Sequence, residues 1–324
     1  MYILGIETSC DETSAAVVKD GRIVLSNPVS SSLKLHRKYG GIVPEIASRA
    51  QLETITQVTG LALKQAKLKL EDIALVSATV EPGLLGSLLV GISFAKALSL
   101  GLGVGFLGLN HLHSHLYSNF LSGQKPKLPF VGLVVSGGHT SLFYVPNFQK
   151  FDSIGQTQDD ACGEAFDKVA KILGLGYPGG PLIEQLAKKG NPKKIKFNCS
   201  DTTCPLDFSF SGIKTAVLYY LRKRVSAQAR RLDAREKADI CASFQEAAFD
   251  ALIHKSLLAC KHKRVNRLVV GGGVAINNRL REKFYAAAKD HCLQCYFPPG
   301  KFCLDNAAMV AGLGYQLRSQ AVAC

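Results

Sequence analysis

His111 and His115 lie four residues apart in NHLHSHLYSNF, a stretch of helical character, so both imidazoles project from one face and can share a metal ion. His113 points elsewhere. Eight histidines in 324 residues give roughly 0.2 such pairs by chance, so the pair needs a third ligand to gain weight. A zinc peptidase of the HExxH type carries its base inside the pair, whereas Leu112, His113 and Ser114 stand here, and peptide hydrolysis by that route lacks its base. Glycine-rich turns are the second chemical signal: SGGH (Ser136 to His139), GYPGGP (Gly176 to Pro181) and GGGVAINN (Gly271 to Asn278). Turns of this kind expose backbone N–H groups to phosphate, above all where the last one joins a strand to a helix N-terminus. Neither GxxxxGK[ST] nor GxGxxG occurs, so a P-loop NTPase and a dinucleotide-binding domain are unsupported.

These residues need elements to hold them. The opening YILGIETSCDETSAAVV reads as strand, tight polar turn, strand, with Thr8, Ser9, Asp11 and Glu12 in the turn. FVGLVVSGGHTSLFYV repeats the design around Ser136 to Thr140, which suggests an internal duplication with a nucleotide in a cleft between the two copies. Between them, PEIASRAQLETITQVTGLALKQAK spaces Ile46, Ile55, Val58 and Leu61 as a helix face, and IALVSATV follows as a buried strand. Further helices are expected from about Asp159 to Leu173 and from about Glu236 to Cys260, and the alternation of elements predicts α/β layers. The polar stretch SGQKPKLP (Ser122 to Pro129) reads as the linker between domains 1–127 and 128–324, with the last helix able to pack back on the first. The turn-rich run from Lys188 to Gly212 reads as an exposed loop. Around it, Lys188, Lys189, Lys193, Lys194, Lys196, Arg222, Lys223, Arg224, Arg230 and Arg231 form either a footprint for phosphates or a solvated charged face.

Composition agrees with a folded soluble protein: 47% of residues are from the AVILMFWYC set and 20% are charged, which excludes disorder and collagen. Subtracting 25 acidic from 39 basic residues leaves +14, a balance that favours anionic partners. Ten cysteines follow no framework spacing, and acids stand where a signal peptide needs apolar residues, so a reducing cytoplasm is expected. Cys292 and Cys295 form a lone CxxC and read as ordinary thiols. The run from Leu84 to Leu109 is long enough to span a bilayer, but Lys96 at its middle would cost ~3 kcal/mol there. Gly101, Gly103 and Gly105 divide the run into a buried helix and a buried strand.

In order along the chain, GIETSCDETSAAVV, GGIVPEIASR, EPGLLGSLLVG, the histidine pair, LVVSGGHT, DDACGEAFDKVAKILGLGYPGGP, DFSFSGIKT, GGGVAINN and FCLDNAAMVA resemble the bacterial tRNA N6-adenosine threonylcarbamoyltransferase (TsaD) family, formerly called O-sialoglycoprotein endopeptidases. The resemblance implies the duplicated actin, Hsp70 and sugar-kinase fold, two α/β domains around a nucleotide cleft. It also implies an activity: transfer of threonylcarbamoyl from threonylcarbamoyl-adenylate to N6 of adenosine 37 in tRNAs that read ANN codons, with release of AMP. His111, His115 and Asp305 would bind the metal, a two-histidine, one-carboxylate set typical of Fe2+ and open to Zn2+. Val134, Val135, Ser136, Gly137, Gly138, Asp167, Gly180 and Asn277 would bind the donor, and Asp11 would assist transfer. Without the family, Asp305 reads as a helix N-cap, Asp167 as a solvated acid, Asn277 as a cap and Asp11 as a turn residue. The implied partners are tRNA, a smaller homologous TsaB-like protein and a TsaE-like ATPase. Two motifs depart from the pattern: HMEGH is HLHSH here, with His113 in place of the acid and Ser114 in place of the glycine, and GPGL is EPGL at Glu81.

Two other readings share the fold. A catalytically inactive actin-fold scaffold would bind nucleotide and transfer nothing. A sugar kinase would need a sugar-positioning acid and a phosphorylatable hydroxyl, neither visible in the sequence.

Overall fold

The computed structural model describes the chain except residues 122, 124, 229–231 and 324, and the side chains of 225–228. Arg230 and Arg231, and Ser122 and Gln124 of the expected linker, therefore lie outside the described residues. The chain forms two compact units, one of residues 1–126, 147–151 and 298–324, the other of residues 127–146 and 152–297.

The first unit is built on a sheet of six strands: β1 (Tyr2–Glu7), β2 (Glu12–Lys19), β3 (Ile23–Ser26), β4 (Val29–Ser31), β5 (Ile73–Glu81) and β6 (Gly105–Asn110). Their order is β3-β2-β1-β5-β6, with β4 paired to β2. β1 pairs antiparallel with β2 and parallel with β5, and β5 pairs parallel with β6. The expected strand, turn and strand are thus present at the start. Helix α1 (Leu33–His36) follows the meander, and α2 (Pro44–Ala66) and α3 (Leu85–Leu102) provide the crossovers. α4 (His111–Tyr117) leaves the end of β6.

β1 is buried on both faces, Ile3, Leu4 and Ile6 being fully inaccessible, as expected of a strand covered by helices on both sides. α2 buries Ala47, Gln51, Ile55, Val58, Ala62 and Leu63, whereas Leu61, expected on that face, is exposed. Position 61 falls a residue outside the 47-51-55-58-62 stripe. The expectation of a buried helix after Leu84 holds for helix but not for burial. Only 28% of Leu85–Leu102 is buried, and Leu85, Leu89 and Leu100 face outward. Both faces of this helix are apolar, so its periodicity could not distinguish the side that covers β5.

The second unit repeats the design. Its strands are β7 (Phe130–Val135), β8 (Thr140–Asn147), β9 (Lys150–Gln156), β10 (Arg267–Gly271) and β11 (Gln294–Tyr296), in the order β11-β10-β7-β8-β9. β7 pairs antiparallel with β8 and parallel with β10, and β10 pairs parallel with β11. Read from the meander outward, both sheets have the third, second and first strands of the copy followed by two parallel ones, so the duplication is present at the level of topology. The helices are α5 (Cys162–Ile172), α6 (Gly179–Ala187), α7 (Ser211–Gln228), α8 (Ala234–Lys263) and α9 (Asn278–Asp290). α10 (Ala307–Gln316) belongs to the first unit, where it packs on β1. Gly5 makes that approach feasible, because a Cβ there would lie 2.3 Å from the Ala307 carbonyl oxygen.

The segment from Lys188 to Gly212 is irregular up to α7, as expected, but it is anchored rather than simply exposed. Phe197, Leu206, Phe208 and Phe210 are buried, and the Asn191 N–H donates to Asp239 at 2.7 Å. Four aromatic or aliphatic anchors without a period give no pattern for sequence reading to detect.

Just before α5, Asp160 accepts from Lys168 and, at 2.9 Å, from Lys214. Burial acts to raise its carboxyl, but the two lysines hold it below the usual carboxylate range. A lowered folded-state value means that the stabilisation is fully present above the unfolded value of about 4 and is lost as pH falls through the folded one. Asp160→Asn is therefore expected to cost about 1–2 kcal/mol at pH 7 in urea melts and progressively less as pH falls below about 4. An equal deficit at all pH values would show that the lysine contacts contribute nothing.

Candidate metal centre and nucleotide turns

The residues expected to bind a metal converge within the first unit. Asn110 ends β6 and caps α4, its Oδ1 accepting from Leu112 N–H at 2.9 Å and His113 N–H at 3.3 Å. One turn apart on that helix, His111 and His115 bring their Nε2 atoms within 3.1 Å. Asp305 Oδ1 closes the triangle, 3.1 Å from His115 Nε2 and 3.5 Å from His111 Nε2. Three ligands each about 2.1 Å from one cation, at tetrahedral or octahedral angles, are separated by about 3.0–3.4 Å, so the triangle has the right size. His111, His115 and Asp305 thus form a candidate metal-binding triad. Asp305 does not cap α10. That role falls to Asn306, whose Oδ1 accepts from Met309 N–H at 3.2 Å.

The electrostatics match a cation site. Burial acts to lower the His111 imidazole, but the carboxylates of Asp305 and Glu7 push it up to about 9. His115 is lowered by burial and by His111 beside it. Both shifts place His111, rather than His115, as the imidazole more favourable to positive charge in this site. Glu7 was not singled out by sequence reasoning. It is wholly buried and lies behind His111, with Nδ1 at 3.0 Å, and this imidazole holds its carboxyl low against the upward effect of burial.

Asp11 belongs to the same unit and is largely buried. Its turn is tightly held: the fully buried Gln51 places Nε2 at 3.2, 2.9 and 3.0 Å from the carbonyls of Thr8, Cys10 and Glu12. The Ser32 hydroxyl donates to the Asp11 carbonyl at 2.9 Å. Burial pushes the neighbouring Glu12 carboxyl up to about 10, with Asp305 and Asp11 adding to the effect. Glu12, like Cys10 in the same turn, therefore lies within the electrostatic reach of Asp305, and the only hint of Glu12 in the sequence is its place beside Asp11.

The two departures from the family pattern are neighbours. Glu81 is opposite Asn110 in the β5–β6 ladder and accepts from its Nδ2 at 3.3 Å, on the residue that caps α4. His113 points away from the triad and stacks on Phe151 at 4.0 Å, and burial brings its imidazole down to about 4 although Glu81 acts to raise it.

In the second unit, Val134 and Val135 are buried in β7, with Val134 opposite Ser141 and Gly271 in the ladders on either side. Their side chains build the core, which leaves only their backbone for contact with any ligand. Ser136 starts the turn, its N–H donating to the His139 carbonyl at 2.8 Å. Gly137 and Gly138 are exposed, and a Cβ at either would enter open space. α5 starts directly on this turn, with the Gly163 N–H donating to the Ser136 carbonyl at 3.1 Å. Asp167 and Gly180 are brought together: Asp167 Oδ1 accepts from Gly179 N–H at 2.7 Å. Burial raises the Asp167 carboxyl, while the N–H groups of Gly179 and Gly180 act to lower it. Asn277 caps α9 through Leu280 N–H at 3.1 Å and donates to Gln245 at 3.1 Å. All nine described cysteines are free, Cys292 and Cys295 among them.

Two sheets of matching strand order, one unit with a candidate metal triad and one with glycine turns at strand ends, define an actin-like α/β protein. Solved structures agree. Full-length HypF in its phosphate- and nucleotide-bound form superimposes with a TM-score of 0.63 at 13% identity, covering 98% of this chain and 55% of that one. The component A of (R)-2-hydroxyglutaryl-CoA dehydratase from Acidaminococcus fermentans gives 0.56 at 18%, covering 98% and 99%. The sequence profile of TsaD, tRNA N6-adenosine threonylcarbamoyltransferase, matches residues 23–312. Proteins of that name from Symbiobacterium thermophilum and Caldicellulosiruptor saccharolyticus are 50% and 47% identical, each over 97% of this chain, with 91% and 92% of their own lengths covered. One from Thermosipho melanesiensis is 50% identical over 98% of this chain and 95% of its own. The chain belongs to the tRNA N6-adenosine threonylcarbamoyltransferase family.

Proposed function

We propose that this chain transfers the threonylcarbamoyl group of threonylcarbamoyl-adenylate to N6 of adenosine 37 in tRNA. The observation that carries the reading is the convergence of His111, His115 and Asp305 beside the turn that holds Asp11. In the reaction, the N6 nitrogen forms a bond to the carbamoyl carbon, the bond from that carbon to the phosphate oxygen breaks, AMP departs, and N6 gives up a proton. Asp11, fixed by the Gln51 and Ser32 contacts, orients the amine or takes that proton. Two histidines and one carboxylate favour Fe2+, with Zn2+ as the other candidate. When bound, the ion acts as a Lewis acid that holds donor oxygens and offsets negative charge. The turn at Ser136, Gly137 and Gly138 lies against the donor phosphate through backbone atoms, and Val134 and Val135 support it from the core. Asp167 with Gly180 faces the ribose hydroxyls, and Asn277 fixes the start of α9 beside the nucleotide.

The partners are tRNA, a homologous TsaB-like protein and a TsaE-like ATPase, in the cytoplasm where tRNA is modified. The outward leucines of α2 and α3, Leu52, Leu85 and Leu89, offer the homologous protein an apolar surface. The net charge of +14 and the exposed Lys188, Lys189, Lys193, Lys194 and Lys196 suit tRNA phosphates. Affinity for unmodified tRNA is accordingly expected to fall at least about tenfold between about 50 and 200 mM salt in filter binding. A flat titration would contradict phosphate recognition by this chain. The deciding experiment incubates the protein and its two partners with threonylcarbamoyl-adenylate and unmodified tRNA, followed by nucleoside mass spectrometry. Threonylcarbamoyladenosine is the expected product. Its absence, with AMP binding retained, would leave an actin-fold scaffold in its place.

A further inference from the structure

The last residue of β1 has an environment that a simple strand residue does not need. Glu7 is completely buried, yet three donors surround its carboxylate. Ser9 N–H donates to Oε1 at 2.6 Å, the Thr79 hydroxyl donates to Oε2 at 2.6 Å, and His111 Nδ1 lies 3.0 Å from Oε2. Ser9 belongs to the turn that carries Asp11, Thr79 to the neighbouring β5, and His111 to α4, so one side chain ties three elements at one point. We propose that Glu7 is the positioning residue of the triad, fixing the His111 ring so that Nε2 faces the ion. This inference rests on the metal reading of His111, His115 and Asp305.

The physical reasons are orientation and charge. A carboxylate only accepts, so the proton between Glu7 and His111 belongs to Nδ1, and coordination is confined to Nε2. That nitrogen is the one directed at His115 Nε2 and Asp305 Oδ1. His115 has no equivalent aid, because its Nδ1 is buried without a hydrogen-bond partner among the described residues. The orientation of the pair therefore rests on the contacts of His111 Nδ1, with Glu7 at 3.0 Å the shorter and Ser9 Oγ at 3.2 Å beside it. A dication held by Asp305 alone would leave one uncompensated positive charge in a buried site, and the Glu7 carboxylate balances it. Glutamine cannot substitute, since one oxygen cannot serve Ser9 N–H on one side and Thr79 with His111 on the other.

The full-length protein would be titrated with Zn2+, a diamagnetic probe, against a chelator of known affinity, comparing the natural chain with Glu7→Gln and Thr79→Val. Glu7→Gln is expected to weaken zinc binding about 10–100-fold and Thr79→Val by less, each with a cooperative melt. The zinc-loaded natural chain, with 15N-labelled histidine, should show a slowly exchanging proton on His111 Nδ1 and the metal on Nε2. Natural zinc affinity in a folded Glu7→Gln protein, or zinc on Nδ1 in the natural chain, would overturn the role of Glu7. If the glutamine variant does not fold, the NMR result on the natural chain decides. Failure of the natural chain to bind Zn2+ or Fe2+ at all would instead remove the metal reading, and this inference with it.

Discussion

Asp305→Ala protein should emerge from desalting with no stoichiometric metal, yet unfold within about 1 kcal/mol of the natural chain. The aspartate provides one corner of the ligand triangle, and although its removal takes a partner from the buried His115 and His111, their Nε2 atoms remain 3.1 Å from each other, which keeps the cost small. His111→Ala should lose the metal too, but at a much larger structural cost. It removes the imidazole hydrogen-bonded to Glu7, which has no access to water, and removing one partner of a buried pair in this way costs about 3–5 kcal/mol. Both variants should lose transfer by at least about 100-fold if the ion contributes several kcal/mol to charge stabilisation. Elemental analysis and urea melts separate the effects. Full metal content in Asp305→Ala would sink the triad, and equal stabilities for the two variants would deny the Glu7–His111 pair.

The second large effect concerns glycines that sit close together in the second unit and should behave in opposite ways. At Gly163 a Cβ would lie 2.6 Å from the Ser136 carbonyl oxygen and 2.8 Å from Gly137 Cα. Both are backbone atoms that cannot swing aside, so Gly163→Ala must displace the turn or the start of α5, at about 1–3 kcal/mol. Gly137→Ala and Gly138→Ala meet nothing within 4 Å, and neither position needs a left-handed backbone. Their stability should stay within about 0.5 kcal/mol. Their methyl groups nevertheless occupy the space assigned to the donor, so the Kd for AMP should rise at least about tenfold, or about 1.4 kcal/mol. Thermal melts with calorimetric AMP titrations test the series. Unchanged AMP affinity in both turn variants would place the nucleotide elsewhere.

What could be read in advance followed the range of each interaction along the chain. The strand, turn and strand openings of both copies and the helix under His111 and His115 are local patterns, and they appear as expected. Asp305 is 190 residues from His115, and its ligand role came only through the family resemblance. Glu7 is 104 residues from His111, and in sequence it is simply the polar end of an apolar strand. Pairing across the sheet creates its role, and periodicity carries no trace of that. The α3 sequence erred in the opposite sense, because a helix apolar all round looks buried whether or not its outer face is covered. Likewise Phe197 and Phe208 anchor a segment whose composition suggests solvent.

The chain leaves the first unit near residue 126, builds most of the second, and returns at residue 298 with Asp305 and α10. On the ribosome, β1, β2 and the histidine helix therefore emerge long before their third ligand. Until then Gly5 lacks the helix that covers it, and the histidines face each other without a carboxylate to complete the triangle. A nascent or truncated chain ending at residue 297 would hold both halves of the duplication and still be unable to close the site. All three ligands of the candidate triad are together only in a chain that extends past residue 305.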